Sequence, residues 1–497
     1  MEQWARDWLE GERAKGVKRL EIKNRGSKHY VYESTTHWDS ILKKRVKTSR
    51  YKGKLDPEQG FIESQSMNGF DLEPVRNVTE YGNAILLREA MEDLKPLLIA
   101  AFPDNWEAIY ALSMIRISGN VPLKRSKVVW EKLYNPDMIS ANMNPGAVSK
   151  LLRTVGIDRE AQDTVFQGIL DHSEQLIYDL STMFSRSISI LQAEKGYNKD
   201  KIHLPQINLA LLCSADTGFP TMIKSVPGSV RDISTLSNTI KEMDIKGKTL
   251  VLDRGFFSED VIKELSAAKI DFVLPTRRNS HYYDIRIHLT EHFRYHKRLI
   301  ECGKRKVDGI FLYKFEDLDL KLEETKTLYD RLDEEKIDKN ELREKLKNAG
   351  TILILSSKDL PEQEMYELYK KRERVEKMFD TYKNVLDADR LYLQDDESVF
   401  GHVFISFLSL FAYCKLESML KKAGLNKKMS PMDLLLQYSK VYHMEIGERG
   451  LISEIPKKVK DLEKKLGTHV FPTKRELRLN ISTWMNAFSE RLLYQEP

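Results

Sequence analysis

The chain has little cysteine and no apolar run of membrane-spanning length. Only three of its 497 residues are cysteines, Cys213, Cys302 and Cys414, and none lies in a CxxC arrangement. The sequence therefore predicts neither a disulfide framework nor a cysteine zinc site. The most apolar stretch, residues 403–414, is too short to cross a bilayer and predicts a buried helix. The first 16 residues lack the apolar core of a secretory signal, so we expect a cytoplasmic protein without a membrane partner.

Internal repeats and low-complexity tracts are also lacking, and the composition is that of a soluble globular protein with two or three domains. Apolar residues make up 41% of the chain and charged residues 31%, with a net charge of only +5. Basic charge is nevertheless concentrated: residues 1–54 hold 15 Lys or Arg against 7 Asp or Glu, and residues 43–54 hold seven cations and no acid. This profile is typical of a phosphate-binding arm, although an ordinary solvated basic face has the same composition.

Residues 367–386 show the most informative pattern in the chain. At 3.6 residues per turn, an α-helix would gather Tyr369, Arg372, Glu376 and Lys383 into an arc of roughly 60°. A second, adjacent arc is apolar and predicts contact with a core; it contains Leu368, Val375, Phe379, Tyr382 and Leu386. A carboxylate flanked by two cations on such a helix can bind a metal ion and hold a polyanion beside it.

The spacing Tyr-x2-Arg-x3-Glu-x6-Lys resembles the signature of the DDE transposases of prokaryotic insertion sequences, in which this Glu is the third catalytic carboxylate. The family presents its first two acids on β-strands. Asp179 in IYDLST and Asp253 in TLVLDRGFFS match those contexts. Similarity extends to YVYESTTHWD and GKLDPEQG near the N-terminus and to GHVFISFLSLF after the third acid, so it covers most of the chain.

The resemblance implies an α/β fold with an RNase H-like catalytic core. Three β-type runs, at residues 176–182, 187–192 and 208–215, precede alternating helix-like and strand-like segments, which fits such a core. Ser258, followed by two acids, predicts a helix N-cap. Asp253 would then lie at the carboxyl end of a strand, where open α/β sheets commonly form their sites.

The spacing between the second and third acids requires an insertion. Residues 277–307 hold nine Lys or Arg against three acids and predict β structure, and a charged helical hairpin and a returning strand follow. The resemblance implies that this insertion contacts the transposon end, as in related transposases. We therefore divide the chain into a basic β-rich N-terminal module (1–65), a helical DNA-end-binding region (66–173), the first part of the RNase H-like core (174–276), the insertion domain (277–358), the second part of the core with the signature helix (359–425) and a helical C-terminal region (426–497). Packing without DNA contact explains region 66–173 almost as well. The Lys-rich C-terminal region would bind DNA or join two protomers.

Phosphodiester cleavage needs charge neutralisation at the phosphate and activation of a water or hydroxyl, and two divalent ions about 3.5–4 Å apart supply both. The resemblance implies that Asp179, Asp253 and Glu376 bind two Mg²⁺ ions, which Mn²⁺ can replace, with Asp179 as the bridge.

Four further residues are candidates for DNA contact. Arg372 and Lys383 would hold phosphates, the first as a bidentate fork and the second as a point charge, unless they form salt bridges instead. Tyr369 would contact the DNA backbone or pack in the core. Arg254 would contact DNA or orient the carboxylate of Asp253.

The implied reaction is cut-and-paste transposition on double-stranded DNA, comprising the terminal inverted repeats and the target, by a homodimer in the nucleoid. Two other functions fit the same residues: an RNase H-like nuclease without strand transfer, and a catalytically silent transposase-derived DNA-binding protein.

Several other side chains compete for a place in the site. Asp216 precedes Thr-Gly, which predicts a turn. Asp387 and Asp389 could replace Glu376 only in a different helical register. His172 and His402 are better interpreted as packing residues than as ligands or bases.

Overall fold

The computed structural model describes residues 2–25, 28–39, 44–57, 60–63, 75–119, 121–170, 172–185, 187–196, 204–230, 232–389, 393–447 and 449–472. The chain forms two compact units, one made of Met1–Arg76 with Glu445–Arg449 and the other of Asn77–Met444 with Gly450–Pro497.

The described part of the first unit contains one helix and a four-stranded antiparallel sheet. The helix is α1 (Gln3–Ala14), and the strands pair in chain order: β1 (Leu20–Arg25), β2 (Lys28–Asp39), β3 (Lys44–Asp56) and β4 (Gly60–Glu63). The sequence predicted the β structure of this segment but not the helix.

A small apolar core joins the helix to the sheet. Alternate strand residues point to one face, and on that face Ile22, Val31 and Leu55 pack with Ala5 and Leu9 of α1. Tryptophans of α1 extend the contact, with Trp4 beside His29 and Trp8 stacked on Phe61. The opposite face of the sheet is therefore left to polar and aromatic side chains.

The second unit begins at Asn77, within strand β5 (Val75–Glu80), and continues with a series of helices, as predicted for region 66–173. They are α2 (Gly82–Ala90), α3 (Lys95–Ala101), α4 (Trp106–Ser118), α5 (Ser126–Lys132), α6 (Pro145–Ile157) and α7 (Arg159–Leu170).

A nine-stranded mixed sheet follows, so that the fold is mixed α/β. Its strands are β6 (Gln175–Phe184), β7 (Gln206–Ser214), β8 (Pro220–Pro227), β9 (Thr249–Val251), β10 (Asp271–Pro275), β11 (Glu291–Tyr295), β12 (Arg298–Val307), β13 (Ile310–Asp317) and β14 (Thr351–Ser356). The helices between them are α8 (Asp232–Glu242), α9 (Glu259–Ala267), α10 (Leu318–Asp333) and α11 (Lys339–Lys347). The strand order is β11-β12-β13-β14-β10-β9-β6-β7-β8.

The sheet combines two kinds of pairing. Strand β7 pairs antiparallel with both β6 and β8, whereas β9 runs parallel to β6 and β10 runs parallel to β9. Strand β14 then pairs antiparallel with β10, and the predicted insertion continues the same sheet through β13, β12 and β11. The Ser258 hydroxyl accepts a hydrogen bond from the Val261 amide at 3.2 Å, which confirms the predicted N-cap of α9.

One predicted strand is wrong, and another strand was missed. Residues 187–192 form bends and turns; the Leu191 and Gln192 amides donate to the Asp396 carboxylate, and Ile188 is 98% exposed. Ile190 is buried in the core, but Ile188, which would share its face in a strand, is exposed, so the β propensity of the run does not produce a strand. The missed strand is β8, which pairs with β7 on the side opposite β6.

The remaining elements are α12 (Glu362–Lys370), α13 (Glu373–Asp380), α14 (Asp396–Lys422), α15 (Pro431–Tyr438), β15 (Tyr442–Ile446), β16 (Arg449–Ile452) and α16 (Lys457–Leu466). Helix α14 contains the apolar run 403–414, predicted to be a buried helix, and is much longer than that run. By length and composition it could cross a membrane, but 83% of its most apolar window is buried inside the protein. It is a core helix that packs on α4, α6 and β8.

Two glycines allow α6 and α14 to approach each other closely. A Cβ added at Gly401 would lie 2.0 Å from the Leu152 carbonyl oxygen, and one at Gly156 would lie 1.7 Å from the Glu397 carbonyl oxygen. Both distances are far shorter than a van der Waals contact, and the opposing atoms are backbone, so the helices must separate to accept a methyl group.

We expect Gly401→Ala to lower the free energy of unfolding by about 1–3 kcal/mol or more, because overpacking displaces one helix from the other. Gly146→Ala is the matched control: it lies in α6, and a Cβ there meets nothing within 4 Å. Urea unfolding of both variants tests this. Equal stability of the two would contradict the close packing.

His402 of α14 is a packing histidine, as the sequence analysis proposed. Its ring is 3% exposed, and Nε2 lies 2.9 Å from the Ala388 carbonyl oxygen, to which the neutral ring donates. Burial, with a smaller contribution from Arg116, lowers the pKa of His402 to about 3. His172, by contrast, is exposed.

Stability should therefore decline on acidification. The unfolded chain protonates this histidine near pH 6.5, whereas the folded protein keeps it neutral down to about pH 3. Between those values the unfolded state binds more protons, so the free energy of unfolding falls by up to about 1.4 kcal/mol per pH unit. In His402→Gln, whose amide can still donate to Ala388, this part of the pH dependence should vanish. Urea unfolding at pH 7 and pH 5 measures it, and parallel losses in both proteins would contradict the assignment.

Candidate active site

The first two predicted acids lie on neighbouring parallel strands. Asp179 is within β6, and Asp253 follows the end of β9. The register pairs Gln175 with Thr249 and Ile177 with Val251. Two further positions along each strand bring Asp179 level with Asp253, so the pairing of β6 with β9 aligns the two carboxylates at one edge of the sheet.

The third acid, Glu376, lies in a segment that is not one continuous helix. Helix α12 ends at Lys370, α13 starts at Glu373, and residues Thr381–Val385 form a π-helical turn. At the break the hydrogen bonds tighten to three-residue spacing, from the Arg372 amide to the Tyr369 carbonyl and from Val375 to Arg372. The predicted single helix is therefore wrong, because the i to i−4 ladder is interrupted beside the site. Such π turns are frequent at functional sites.

The predicted apolar arc is confirmed despite the break. All five of its members are buried: Leu368, Val375, Phe379, Tyr382 and Leu386. Tyr369 is only 8% exposed, so it does not belong to an exposed polar stripe. Its ring centroid lies 5.9 Å from the Arg372 guanidinium carbon, and the ring therefore packs against that side chain.

Arg372 connects two of the acids. Its Nη1 is 3.0 Å from Glu376 Oε1 and 3.6 Å from Asp253 Oδ1. Since both oxygens contact the same nitrogen, they cannot be further apart than the sum of these distances. The Arg372 side chain is 18% exposed, that of Asp253 is 26% exposed and that of Glu376 is 57% exposed. The guanidinium is thus sheltered between a partly buried carboxylate and a solvent-accessible one.

The charges around Arg372 include the third acid as well. Burial opposes the positive charge, but the carboxylates of Asp253, Glu376 and Asp179, together with Tyr369, outweigh it and raise the pKa of Arg372. All three predicted acids therefore act on one cation. Burial also raises the pKa of Tyr369, so its hydroxyl stays neutral next to the guanidinium.

Lys383 approaches the strand of the first acid. Its Nζ donates to Ser181 Oγ at 2.7 Å and to the Thr182 carbonyl oxygen at 2.6 Å, two and three residues beyond Asp179. The π-helical turn that contains Lys383 is thereby attached to β6. Ser181 was not among the predicted site residues. Its only signal in the sequence is the short polar run that follows Asp179.

Arginines surround the second acid and anchor the third. Arg254 directly follows Asp253 in a 3₁₀ turn, with its Nε buried. Arg277 donates to the Gly255 carbonyl oxygen at 3.3 Å. Arg374, which the sequence analysis missed, donates to the Ala215 carbonyl oxygen at 3.0 Å and so ties the start of α13 to the turn between β7 and β8.

The competing acids have other surroundings. Asp216 lies in the predicted turn and accepts hydrogen bonds from the Glu174 and Gln175 amides. Asp387 follows the π-helical turn with a left-handed backbone, at φ 51°.

The donor chemistry at the site suits a hard divalent ion, because three carboxylates supply only oxygen ligands. Asp253 and Glu376 already share one cationic group, which shows that a positive charge fits between them. Over the described residues, no three His, Cys, Asp or Glu side chains are close enough together to hold a metal ion. In this arrangement the Arg372 guanidinium lies between two of the three carboxylates.

Comparison with known proteins finds a family model that matches the residues of this site. Residues 173–412 match the family model of the transposase DDE domain, and this range includes all three acids. No curated protein matches the chain. Among solved structures, the chain is similar to a piggyBac transposase in a synaptic complex with hairpin DNA, at 14% identity and a TM-score of 0.39, with 81% of this chain and 85% of that chain covered. On this match, residues 173–412 of the chain resemble the transposase DDE domain family.

Proposed function

We propose that the chain is a DNA transposase that cuts and joins double-stranded DNA with Asp179, Asp253 and Glu376 as its catalytic carboxylates. The observation that carries this proposal is the alignment of Asp179 with Asp253 across β6 and β9, with Glu376 held to Asp253 through Arg372. The strand pattern supports an RNase H-like core: three antiparallel neighbours, β6 to β8, are followed by two parallel strands separated by helix α9.

The three acids would hold two divalent ions, Mg²⁺ or Mn²⁺, which when bound would activate the attacking oxygen and neutralise charge at the scissile phosphate. Glu376 is the acid with most freedom to adjust, because it is 57% exposed and lies at the protein surface. Its rotation towards Asp253 and Asp179 requires that Arg372 give up its present contacts.

Arg372 then becomes available to the substrate. A guanidinium freed from two carboxylates keeps its charge and its planar fork, which matches a phosphate in a bidentate manner. Tyr369 packs against it and limits where it can turn. Lys383 lies beside β6 next to the first acid and offers a second cation to the same strand of DNA. Arg254 would contact the DNA on the other side of Asp253.

Hydrolysis at the element's end frees a 3′-hydroxyl, and attack of that hydroxyl on target DNA joins the element to its new site. Because two ends must be joined together, we propose a homodimer on DNA, acting in the nucleoid. We also propose that the chain is organised in the six segments predicted from the sequence, which are residues 1–65, 66–173, 174–276, 277–358, 359–425 and 426–497.

Loss of any one acid should abolish cleavage. We expect Asp179→Asn, Asp253→Asn and Glu376→Gln each to reduce the Mg²⁺-dependent release of 3′-hydroxyl ends by about 10³-fold or more, since each removes a ligand worth several kcal/mol in the transition state. The substrate is a plasmid carrying the coding sequence with its native flanking DNA.

Glu373→Gln is the matched control, because Glu373 lies one turn away in α13 and is exposed. It should cleave like the wild type. Titration with Mn²⁺, followed by its electron paramagnetic resonance, gives a readout independent of turnover: the three acid variants should bind less Mn²⁺ and Glu373→Gln should not. Wild-type cleavage by Asp253→Asn would rule out the proposed site.

Strand transfer separates a transposase from a nuclease. We expect the wild type to join a pre-cut end of the element, bearing a 3′-hydroxyl, to a second DNA molecule, and Glu376→Gln to fail. Joined products on a sequencing gel are the measurement. Cleavage without joining would favour an RNase H-like nuclease, and DNA binding without either reaction would favour a silent DNA-binding protein.

A further inference from the structure

Part of the first unit is a two-stranded ribbon that, among the described residues, has no neighbouring strand on either side. Strands β2 and β3 stay paired from His29 with Leu55 out to Asp39 with Lys44. Strand β1 pairs with β2 only as far as Glu33, and β4 pairs with β3 only over Gly53–Asp56. Six residue pairs, formed by residues 34–39 and 44–49, therefore extend beyond the flanking strands; we term them the ribbon.

The ribbon has no apolar core of its own. None of its described side chains is buried, and Trp38 is 64% exposed. An isolated pair of strands is marginally stable in water, because it buries little apolar surface. A long polar ribbon of this kind gains most from a partner that covers it.

The composition of the ribbon points to a polyanion. The sequence of the ribbon contains three basic residues and one acidic residue. Its hydroxyl residues are more numerous than the basic and acidic residues together; they are Ser34, Thr35, Thr36, Thr48 and Ser49. Hydroxyls, lysines and arginines are the side chains that bind DNA phosphates and base edges.

An ion pair fixes the base of the ribbon. Glu21 of β1 accepts a hydrogen bond from Ser34 Oγ at 2.7 Å and pairs with Lys47 Nζ at 2.5 Å. The hydrogen bond from Lys47, with that from Ser34, lowers the pKa of Glu21. Lys47 is thereby oriented within the sheet, whereas Lys44 and Arg45 lie at the far end and are exposed.

We propose that the ribbon inserts into the major groove of duplex DNA. That groove is about 12 Å wide and admits a two-stranded β-ribbon, and six residue pairs at about 3.4 Å each give a ribbon of about 20 Å. Lys44 and Arg45 contact phosphates on the groove walls, and Trp38 and Thr36 lie on one face of the ribbon towards the bases. This assignment rests on the proposed function in one respect, that the chain acts on duplex DNA.

The test is binding of the full chain to a 30-base-pair duplex in EDTA, so that cleavage plays no part. Lys44→Gln with Arg45→Gln removes two charges and leaves the Glu21 pair intact. We expect at least a tenfold loss of affinity, and a slope of log affinity against log salt that is shallower by about 1.8, or about 0.9 per phosphate contact. The control variant is Lys326→Gln with Lys336→Gln. It removes the same amount of charge from exposed residues in α10 and just after it, and it should bind DNA like the wild type.

Two further measurements locate the contact. Methylation of guanine N7, which lies in the major groove, should interfere with binding of the wild type and not with that of the double ribbon variant. Trp38→Ala should weaken binding to duplex and should unfold at the same temperature as the wild type.

Three outcomes overturn the assignment. The first is that the ribbon variant and its control bind duplex DNA with equal affinity. That result would exclude the ribbon as the contact but would not contradict the proposed function. Another is a wild type that prefers single-stranded DNA and loses that preference in Trp38→Ala, which would make the face a stacking platform. The third is that the wild type binds no DNA, which would contradict both the proposed function and the role of the ribbon.

Discussion

Parallel pairing of β6 with β9 is the constraint on which the candidate site depends. Two residues that are far apart in the chain become neighbours because hydrogen bonds fix the register of these strands. A shift by one residue would turn each side chain to the other face of the sheet. Both strands are buried on the segments that pair, so the apolar core enforces the register. The position of the carboxylates is thus a by-product of core packing.

Carboxylates so close together repel one another, and the fold compensates with Arg372. A half-buried cation between Asp253 and Glu376 lowers the cost of bringing these two acids together. In the proposed mechanism a divalent ion would compete with this guanidinium for the carboxylate oxygens. A DNA phosphate would then replace the carboxylates as the partner of Arg372.

The sequence predicted those features that depend on local pattern. It predicted the buried arc beside the signature residues and the Ser258 cap, because periodicity and capping act over a few residues. The three acids came instead from the family resemblance. It missed the interruption near Arg372, because the hydrogen bonds that replace the helical ladder depend on tertiary contacts such as that of Arg374 with Ala215. It also assigned a strand to residues 187–192 instead of β8, since only the folded neighbours decide which β-prone run is covered.

Helix α14 has a consequence for synthesis of the chain. Before it docks, this 27-residue segment exposes an apolar surface on all sides and is prone to aggregate or to enter lipid. Its main partners, α4, α6 and β8, precede it in the chain. They have already left the ribosome when α14 emerges, so the helix finds its binding surface at once. The order of elements along the polypeptide thus protects the nascent protein at its most vulnerable step.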